Sequence, residues 1–260
     1  AREALRISLS AIVKATSRMP TVNSGGWRNK GTGLSSHLLG VFPMHLEQNA
    51  WEEIDRHVRR RLLPGLEALA KRPPVRLVDD PCAPGEVALH EGSAIERLRA
   101  LPAESVGFAF ADPPYGDAVQ YAELALPQIA WLSSPLRGAA LCERLNDWLS
   151  RAVEHEVVEN RAQGKDRRAF AVRLGAVLGE LRRVLRPGRA AVVTFNSPDE
   201  DRVRLVRDLA AGAGLAPAGA HHQPAFKPSH KGAWHAGSAQ GTLYLRFLRP
   251  AVAGGNAAPL

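Results

Sequence analysis

The sequence has 260 residues, 45% of them hydrophobic, and a formal net charge of +8. That length suits one large domain, or one domain carrying a helical insertion. No run reaches the roughly 18 unbroken apolar residues of a membrane span, the first residues alternate charged and apolar positions unlike a secretory leader, and the two cysteines, Cys82 and Cys142, form no CxxC pair. These points argue against a membrane protein, a disulfide framework or a zinc or other metal site, and they fit a reducing cytoplasm.

In chain order, Leu5, Leu9, Ile12 and Val13 share one face, which predicts an amphipathic helix over residues 1–18. Pro20, Asn23-Ser24-Gly25-Gly26, Gly31 and Gly33 then predict a polar loop over residues 20–36. A helix follows over residues 47–71, with the basic run Arg59-Arg60-Arg61, and Pro73-Pro74 ends it. The pattern then turns to alternating strands and helices. Short strands are expected at Val75–Val78 and Val87–His90, a helix at Ala94–Leu101, and a buried strand at Val106–Ala111 running into Asp112. Residues 117–132 and about 141–160 read as helix or loop and helix. A helix at Ala169–Leu185 stops at Arg186-Pro187-Gly188. A strand at Ala190–Phe195, a helix at Asp201–Ala213 stopped by Gly214, and a strand at Thr242–Phe247 paired with a segment near residues 216–224 complete the series. Such alternation predicts an α/β sheet with helices on both faces. Three regions result: a helical and loop region at 1–74, a catalytic domain at 75–250 and a disordered tail at 251–260.

Charge follows these regions only in part. Residues 1–76 hold 13 Lys/Arg against 6 Asp/Glu, residues 77–141 hold 3 against 9, and residues 142–260 hold 18 against 11. Basic flanks suit phosphate, and an acidic centre suits amine or sulfonium chemistry. Arg-rich solvated faces would give the same tally, so charge supports a reading without deciding it.

The segment that carries chemistry is Phe108-Ala109-Phe110-Ala111-Asp112-Pro113-Pro114-Tyr115-Gly116-Asp117. An apolar strand ends at a carboxylate, turns through two prolines and presents an aromatic ring. In open α/β sheets ligands bind at the C-terminal strand edge. Two prolines make the turn stiff, so it can hold a carboxylate, backbone carbonyls and a ring in fixed relation. That arrangement suits methylation of an exocyclic base amine. The amine's lone pair is delocalised into the ring. Hydrogen bonds from its N–H groups to a carboxylate and a carbonyl would localise that pair. A base inside a duplex must also be flipped out to reach such a pocket, and an aromatic ring can then stack on it.

Asp112-Pro113-Pro114-Tyr115 resembles the signature tetrad of the S-adenosylmethionine-dependent N6-adenine and N4-cytosine DNA methyltransferases. The flanks extend the likeness. His90-Glu91-Gly92-Ser93-Ala94 and Leu101-Pro102-Ala103-Glu104-Ser105-Val106 resemble the approach to that tetrad, and Leu181–Gly188 the helix and turn after it. Glu156-Val157-Val158-Glu159-Asn160, Gly164-Lys165-Asp166, Gln120–Leu124 and Trp131-Leu132 resemble adenine-specific DNA methylases of bacteria and archaea. The resemblance covers roughly residues 75–250 and implies a Rossmann-like methyltransferase sheet. It implies that Asp112 and the Pro113 carbonyl accept from the target amine, that Pro114 shapes the turn and that Tyr115 stacks the base. It places Gly92, Ser93 and Ala94, with Asp112, near the S-adenosyl-L-methionine donor.

The family's glycine-rich turn, Phe-x-Gly-x-Gly, has no counterpart here; Asp80–Gly85 and Asn23–Gly26 both fit poorly. The chain opens at Ala1 within a helical pattern. The expectation is therefore that the N-terminal strands of the sheet are missing, and that an upstream segment or a complementary subunit supplies them. Trp27, Arg28 and Lys30 in the first loop, and Lys227 and Lys231 near Ser229 and Trp234, are candidate nucleic-acid contacts. Trp27 could equally plug a core gap. His221, His222, His230 and His235 match no zinc spacing. Asn196 either lines the pocket or caps the next turn. The expected activity is methyl transfer to adenine N6 in double-stranded DNA, in a restriction–modification setting. An RNA base amino-methyltransferase and a non-catalytic nucleic-acid-binding subunit stand as alternatives.

Overall fold

A computed structural model describes residues 9–10, 21–22, 32–33, 50–72, 76–79, 83–117, 119–133, 135–197, 199–224 and 241–251. The chain divides into two compact units, one of residues 1–90 and 120–156, the other of residues 91–119 and 157–260.

In the first unit, β1 (Thr21–Val22) pairs antiparallel with β2 (Thr32–Gly33), so the stretch expected as plain loop closes a short ladder. Helix α1 (Ala50–His57) runs through a π turn at Val58–Leu62 into α2 (Leu63–Ala70). The helix expected there is present, but the π turn was not legible. Its cause is Pro64. A proline lacks the N–H for an i→i−4 bond and its ring crowds the carbonyl four residues back, which a wider turn relieves. The Leu63 N–H accordingly donates to the Val58 carbonyl. β3 (Arg76–Leu77) and β4 (Glu86–Val87) pair in parallel, shorter than expected. The 94–101 and 106–111 elements belong to the second unit. Then α4 (Tyr121–Leu132) and α5 (Gly138–His155) pack on each other. The Glu156 carboxylate accepts from the Ala122 N–H at 3.1 Å, satisfying an otherwise unpaired donor in the first turn of α4.

The second unit is a mixed four-stranded sheet with helices. It contains α3 (Ala94–Ala100), β5 (Val106–Ala111), α6 (Arg167–Val184), β6 (Leu185–Phe195), α7 (Glu200–Gly212), β7 (Ala216–Pro224) and β8 (Gly241–Leu248). Strand order is β5-β6-β8-β7, with β5 parallel to β6 and β8 antiparallel to both β6 and β7. This is the α/β class expected from the alternation and the Rossmann-like sheet that the resemblance implies. Helix α6 packs against both α3 and α7. Its Phe170, Leu174, Leu178 and Leu181 recur at helical spacing and bury one stripe against Ala191, Val193 and Phe195 of β6 and Leu245 and Phe247 of β8, which recur at strand spacing. Each such large side chain, fully buried, contributes roughly 1.5–3 kcal/mol.

Two expectations need correction. β5 is not buried on both faces. Its only described partner is β6, so it lies at the edge of the sheet formed by the described residues, and Phe108 and Phe110 are 58% and 60% exposed. A run of apolar residues reads as buried whether one face is covered or two. β6 also begins at Leu185, directly after α6, and not at Ala190. Leu185 pairs with Val106, the ladder breaks, and pairing resumes at Ala190 opposite Phe108. The break holds Pro187, which has no N–H for the ladder, and Gly188, whose φ is +75°. The buried Arg249 guanidinium donates to the Arg182 and Arg183 carbonyls at 3.2 Å and to the Leu185 carbonyl, capping the end of α6. The expected helix at residues 1–18 lies outside the described residues except for Leu9-Ser10, which are helical; Pro73-Pro74 and residues 252–260 also lie outside. Among the described residues no helix is long and apolar enough to cross a membrane.

Candidate active site

Because β5 and β6 are parallel, their C-terminal ends share one edge, and the Asp112 turn leaves the sheet there. Asp112 is exposed, yet one of its oxygens is firmly held. The buried Thr194 on β6 donates from Oγ1 to Asp112 Oδ1 at 2.5 Å and to the Ala111 carbonyl at 3.3 Å. The Tyr115 hydroxyl donates to the same Oδ1 at 2.6 Å. Asp112 Oδ2 makes no hydrogen bond among the described residues. The carboxylate is thus fixed by one oxygen and open at the other. The Tyr115 ring meets Phe195 edge-on, with centroids 5.4 Å apart and planes at 83°. Such aromatic pairs add about 0.5–1.5 kcal/mol to burial.

Pro113 and Pro114 offer no N–H, so the turn cannot be held by their amides. Donors from elsewhere take over. The Glu159 N–H donates to the Gly116 carbonyl at 3.0 Å. Arg202, near the start of α7, donates from Nη1 to Asp117 Oδ1 at 2.6 Å and to the Tyr115 carbonyl at 3.4 Å, while its Nη2 lies 3.5 Å from Glu159 Oε2. Asp199 caps α7 by accepting from the Asp201 and Arg202 N–H groups. Its second oxygen lies 3.5 Å from Arg202 Nε. The Arg202 guanidinium holds the Asp117 carboxyl below the usual carboxylate range, and Asp117 in turn raises Arg202. Gly116 is buried at φ +76°, and a Cβ there would meet Glu159 Oε1 at 2.8 Å and the Arg202 guanidinium at 3.0 Å.

Gly92, Ser93 and Ala94 lie at the start of α3. Gly92 has φ +136°, and the Arg97 guanidinium donates to the neighbouring Glu91 carbonyl at 3.0 Å. The C-terminal end of α3 is tied to the end of α6: Arg183 donates to the Leu98 and Leu101 carbonyls, and the Glu104 N–H to the Arg183 carbonyl. Helix α6 ends where β6 begins, at Leu185. Asn196 follows β6 at the sheet edge where Asp112 stands, and its buried Oδ1 has no hydrogen-bond partner among the described residues. Trp27, Arg28, Lys30, Lys227 and Lys231, with Ser229, His230, Trp234 and His235, lie outside the described residues. His221 and His222 lie on β7, and His221 sits 6.3 Å from the Tyr244 ring. Sequence reading overlooked Thr194 and Arg202. Thr194 was visible as the hydroxyl in an otherwise apolar strand, and Arg202 as the residue three beyond a capping Asp199.

No family model matches the sequence, and no curated protein matches it. Among solved structures, it is similar to a Thermus thermophilus protein described as a DNA modification methylase, at 18% identity and a TM-score of 0.37, over 65% of this chain and 54% of that one. It is similar to the PvuII DNA methyltransferase, described as cytosine-N4-specific, at 14% identity and a TM-score of 0.35, over 62% of this chain and 49% of that one. A third likeness, at 9% identity and a TM-score of 0.28, is to a Methanosarcina mazei protein described as a SAM-dependent methyltransferase, over 59% of this chain and 63% of that one. The chain spans about half the length of the first two. What the Asp112 turn can do is carried by its own atoms: a carboxylate pinned at Oδ1, open at Oδ2, on the C-terminal edge of an α/β sheet.

Proposed function

We propose that this chain carries the acceptor site of an S-adenosylmethionine-dependent methyltransferase acting on the exocyclic amine of a flipped-out base in DNA, adenine N6 before cytosine N4. The observation that carries this reading is Asp112, held at Oδ1 by Thr194 and Tyr115 and free at Oδ2. A pinned carboxylate with one open oxygen can accept an amine N–H in a set direction, and orientation of that kind supplies much of the barrier reduction in a methyl transfer. The Pro113 carbonyl is the second acceptor. Tyr115 is the stacking surface for the base, worth roughly 1–3 kcal/mol.

The residues fit the donor in two respects. Gly92 leaves open space, a Cβ meeting nothing closer than Arg97 Nε at 3.7 Å. The unpartnered Asn196 Oδ1 offers an acceptor at the edge where Asp112 stands. Gly92, Ser93, Ala94 and Asp112 would hold the donor, which supplies an electrophilic methyl group on sulfonium. The glycine-rich turn that would hold the methionine end is proposed to come from outside the described residues, in this polypeptide or a complementary subunit. The edge position of β5 and the exposure of Phe108 and Phe110 support that completion. Trp27, Arg28, Lys30, Lys227 and Lys231 are the proposed nucleic-acid contacts, and residues 75–250 the catalytic region.

The test is transfer of labelled methyl from S-adenosylmethionine to unmethylated duplex DNA by the full polypeptide, followed by nucleoside analysis. N6-methyladenine is expected, and Asp112→Asn should lower turnover about 100-fold or more. Wild-type turnover in Asp112→Asn refutes the site. Label found only in ribosomal RNA refutes the DNA assignment.

A further inference from the structure

We infer that Arg202 is the positioning residue of the Asp112–Asp117 turn, acting with Glu159 as a two-sided grip that sets the direction of Tyr115 and, through it, of Asp112. The inference rests on the methyl-transfer reading for its effect on turnover, but not for the grip itself.

Three observations meet here. First, the turn is poor in donors of its own, because Pro113 and Pro114 have none. Second, two groups from distant parts of the chain supply what is missing. Arg202 of α7 reaches the Tyr115 carbonyl and Asp117, and the Glu159 amide reaches the Gly116 carbonyl. The groups are also tied to each other through Arg202 Nη2 and Glu159 Oε2. Third, the grip closes on backbone with no room for a side chain. Gly116 lies between the Glu159 carboxylate and the Arg202 guanidinium, 2.8 and 3.0 Å from where a Cβ would stand. The Arg202 side chain is only 17% exposed, so this is an inward-facing guanidinium with its fork spread over several acceptors. Its neighbour Arg204 makes the contrast: that side chain is 69% exposed and pairs with Asp201 on the surface.

The consequence runs from backbone to ring to carboxylate. Holding the Tyr115 carbonyl and the two following residues fixes the Tyr115 backbone. That backbone aims the ring at Phe195 and the hydroxyl at Asp112 Oδ1. Arg202 touches neither base nor donor in this scheme. It works through Tyr115 and Asp112.

The experiment compares Arg202→Lys and Arg202→Ala with Arg204→Lys as control, all in the full polypeptide. Two readouts are taken: hydrogen exchange at the Glu159 amide, which donates to the Gly116 carbonyl, and steady-state kinetics with S-adenosylmethionine and duplex DNA. A lysine keeps the charge but cannot span the acceptors. Both Arg202 variants should exchange that amide at least about 10-fold faster while the amides of β6 and α6 stay protected. Turnover should fall about 10- to 100-fold, with KM for both substrates within about 2-fold, the pattern of a misaligned reacting group. Millimolar guanidinium should restore part of the protection and turnover of Arg202→Ala. Arg204→Lys should match wild type in both readouts. Wild-type exchange in both Arg202 variants would overturn the grip. Fast exchange with unchanged turnover, or a rise in KM with turnover preserved, would overturn the positioning role. If the wild-type protein methylates no nucleic acid, the functional reading fails, and the exchange arm alone still decides whether Arg202 holds the turn.

Discussion

Replacing Gly116 by alanine adds one methyl group to the most confined point of the candidate site. Its cost can be built from two parts. A non-glycine residue at φ +76° is left-handed, which costs about 1–3 kcal/mol. The added carbon would also meet Glu159 Oε1 at 2.8 Å and the Arg202 guanidinium at 3.0 Å. Both are side-chain ends, so they would move, and the cost becomes that of the bonds they leave. One is the pair with Asp117, which is 64% exposed and contributes under about 1 kcal/mol after screening. The other is the charge-assisted bond to the Tyr115 carbonyl, about 1–2 kcal/mol. The total is about 2–6 kcal/mol, against a whole-domain stability of about 5–15 kcal/mol. Gly164→Ala isolates the second part. Gly164 has φ +69° in the same unit, with nothing within 4 Å of its would-be Cβ, so it bears the backbone cost alone. Urea unfolding of wild type and both variants measures the difference, with equal m-values as the check on comparability. Gly116→Ala should be less stable than Gly164→Ala by about 1–3 kcal/mol and should lose methyl transfer, while Gly164→Ala should retain it. Equal stability of the two variants, within about 0.5 kcal/mol, would refute the reasoning that Arg202 and Glu159 close on this residue.

Arg249→Met should destabilise the protein by about 2–3 kcal/mol in the same unfolding assay, because it strips the donor from the Arg182, Arg183 and Leu185 carbonyls in a buried setting. Glu104→Ala, which removes only its 51%-exposed partner, should cost under about 1 kcal/mol, and equal losses would sink the capping account. The Asp117 carboxyl gives a pH prediction. Its folded value is depressed by Arg202, so its stabilisation is complete above the unfolded value of about 3.9 and is lost as pH falls through the folded value. The stability gap between wild type and Asp117→Asn should be constant from about pH 8 to 5 and should close below about pH 4. A gap that widens on acidification would contradict the sign.

The elements legible in the sequence are those whose signal is local. Phe170, Leu174, Leu178 and Leu181 announce α6 by their spacing, and Val106–Ala111 announces β5 by an unbroken apolar run ending at Asp112. The Asp112–Tyr115 turn was legible for the same reason: prolines beside a carboxylate constrain their own backbone. What stayed hidden is what depends on residues far away in sequence. That β5 sits at the edge of the described sheet depends on which strands flank it, and the same residues would read alike in the middle of a sheet. That Thr194 grips Asp112 depends on a parallel register 82 positions away, and that Arg202 reaches Asp117 on a contact 85 positions away. Gly116 joins the two kinds of information. A glycine after a Pro-Pro-aromatic turn looks like an ordinary turn residue, and its positive φ alone would make it one. Only with Glu159 and Arg202 in place does the missing side chain acquire a function, as the gap through which two distant elements hold the turn. The residues a sequence reading singles out are therefore the ones proposed to meet the substrate, and the ones it passes over are those that hold them still.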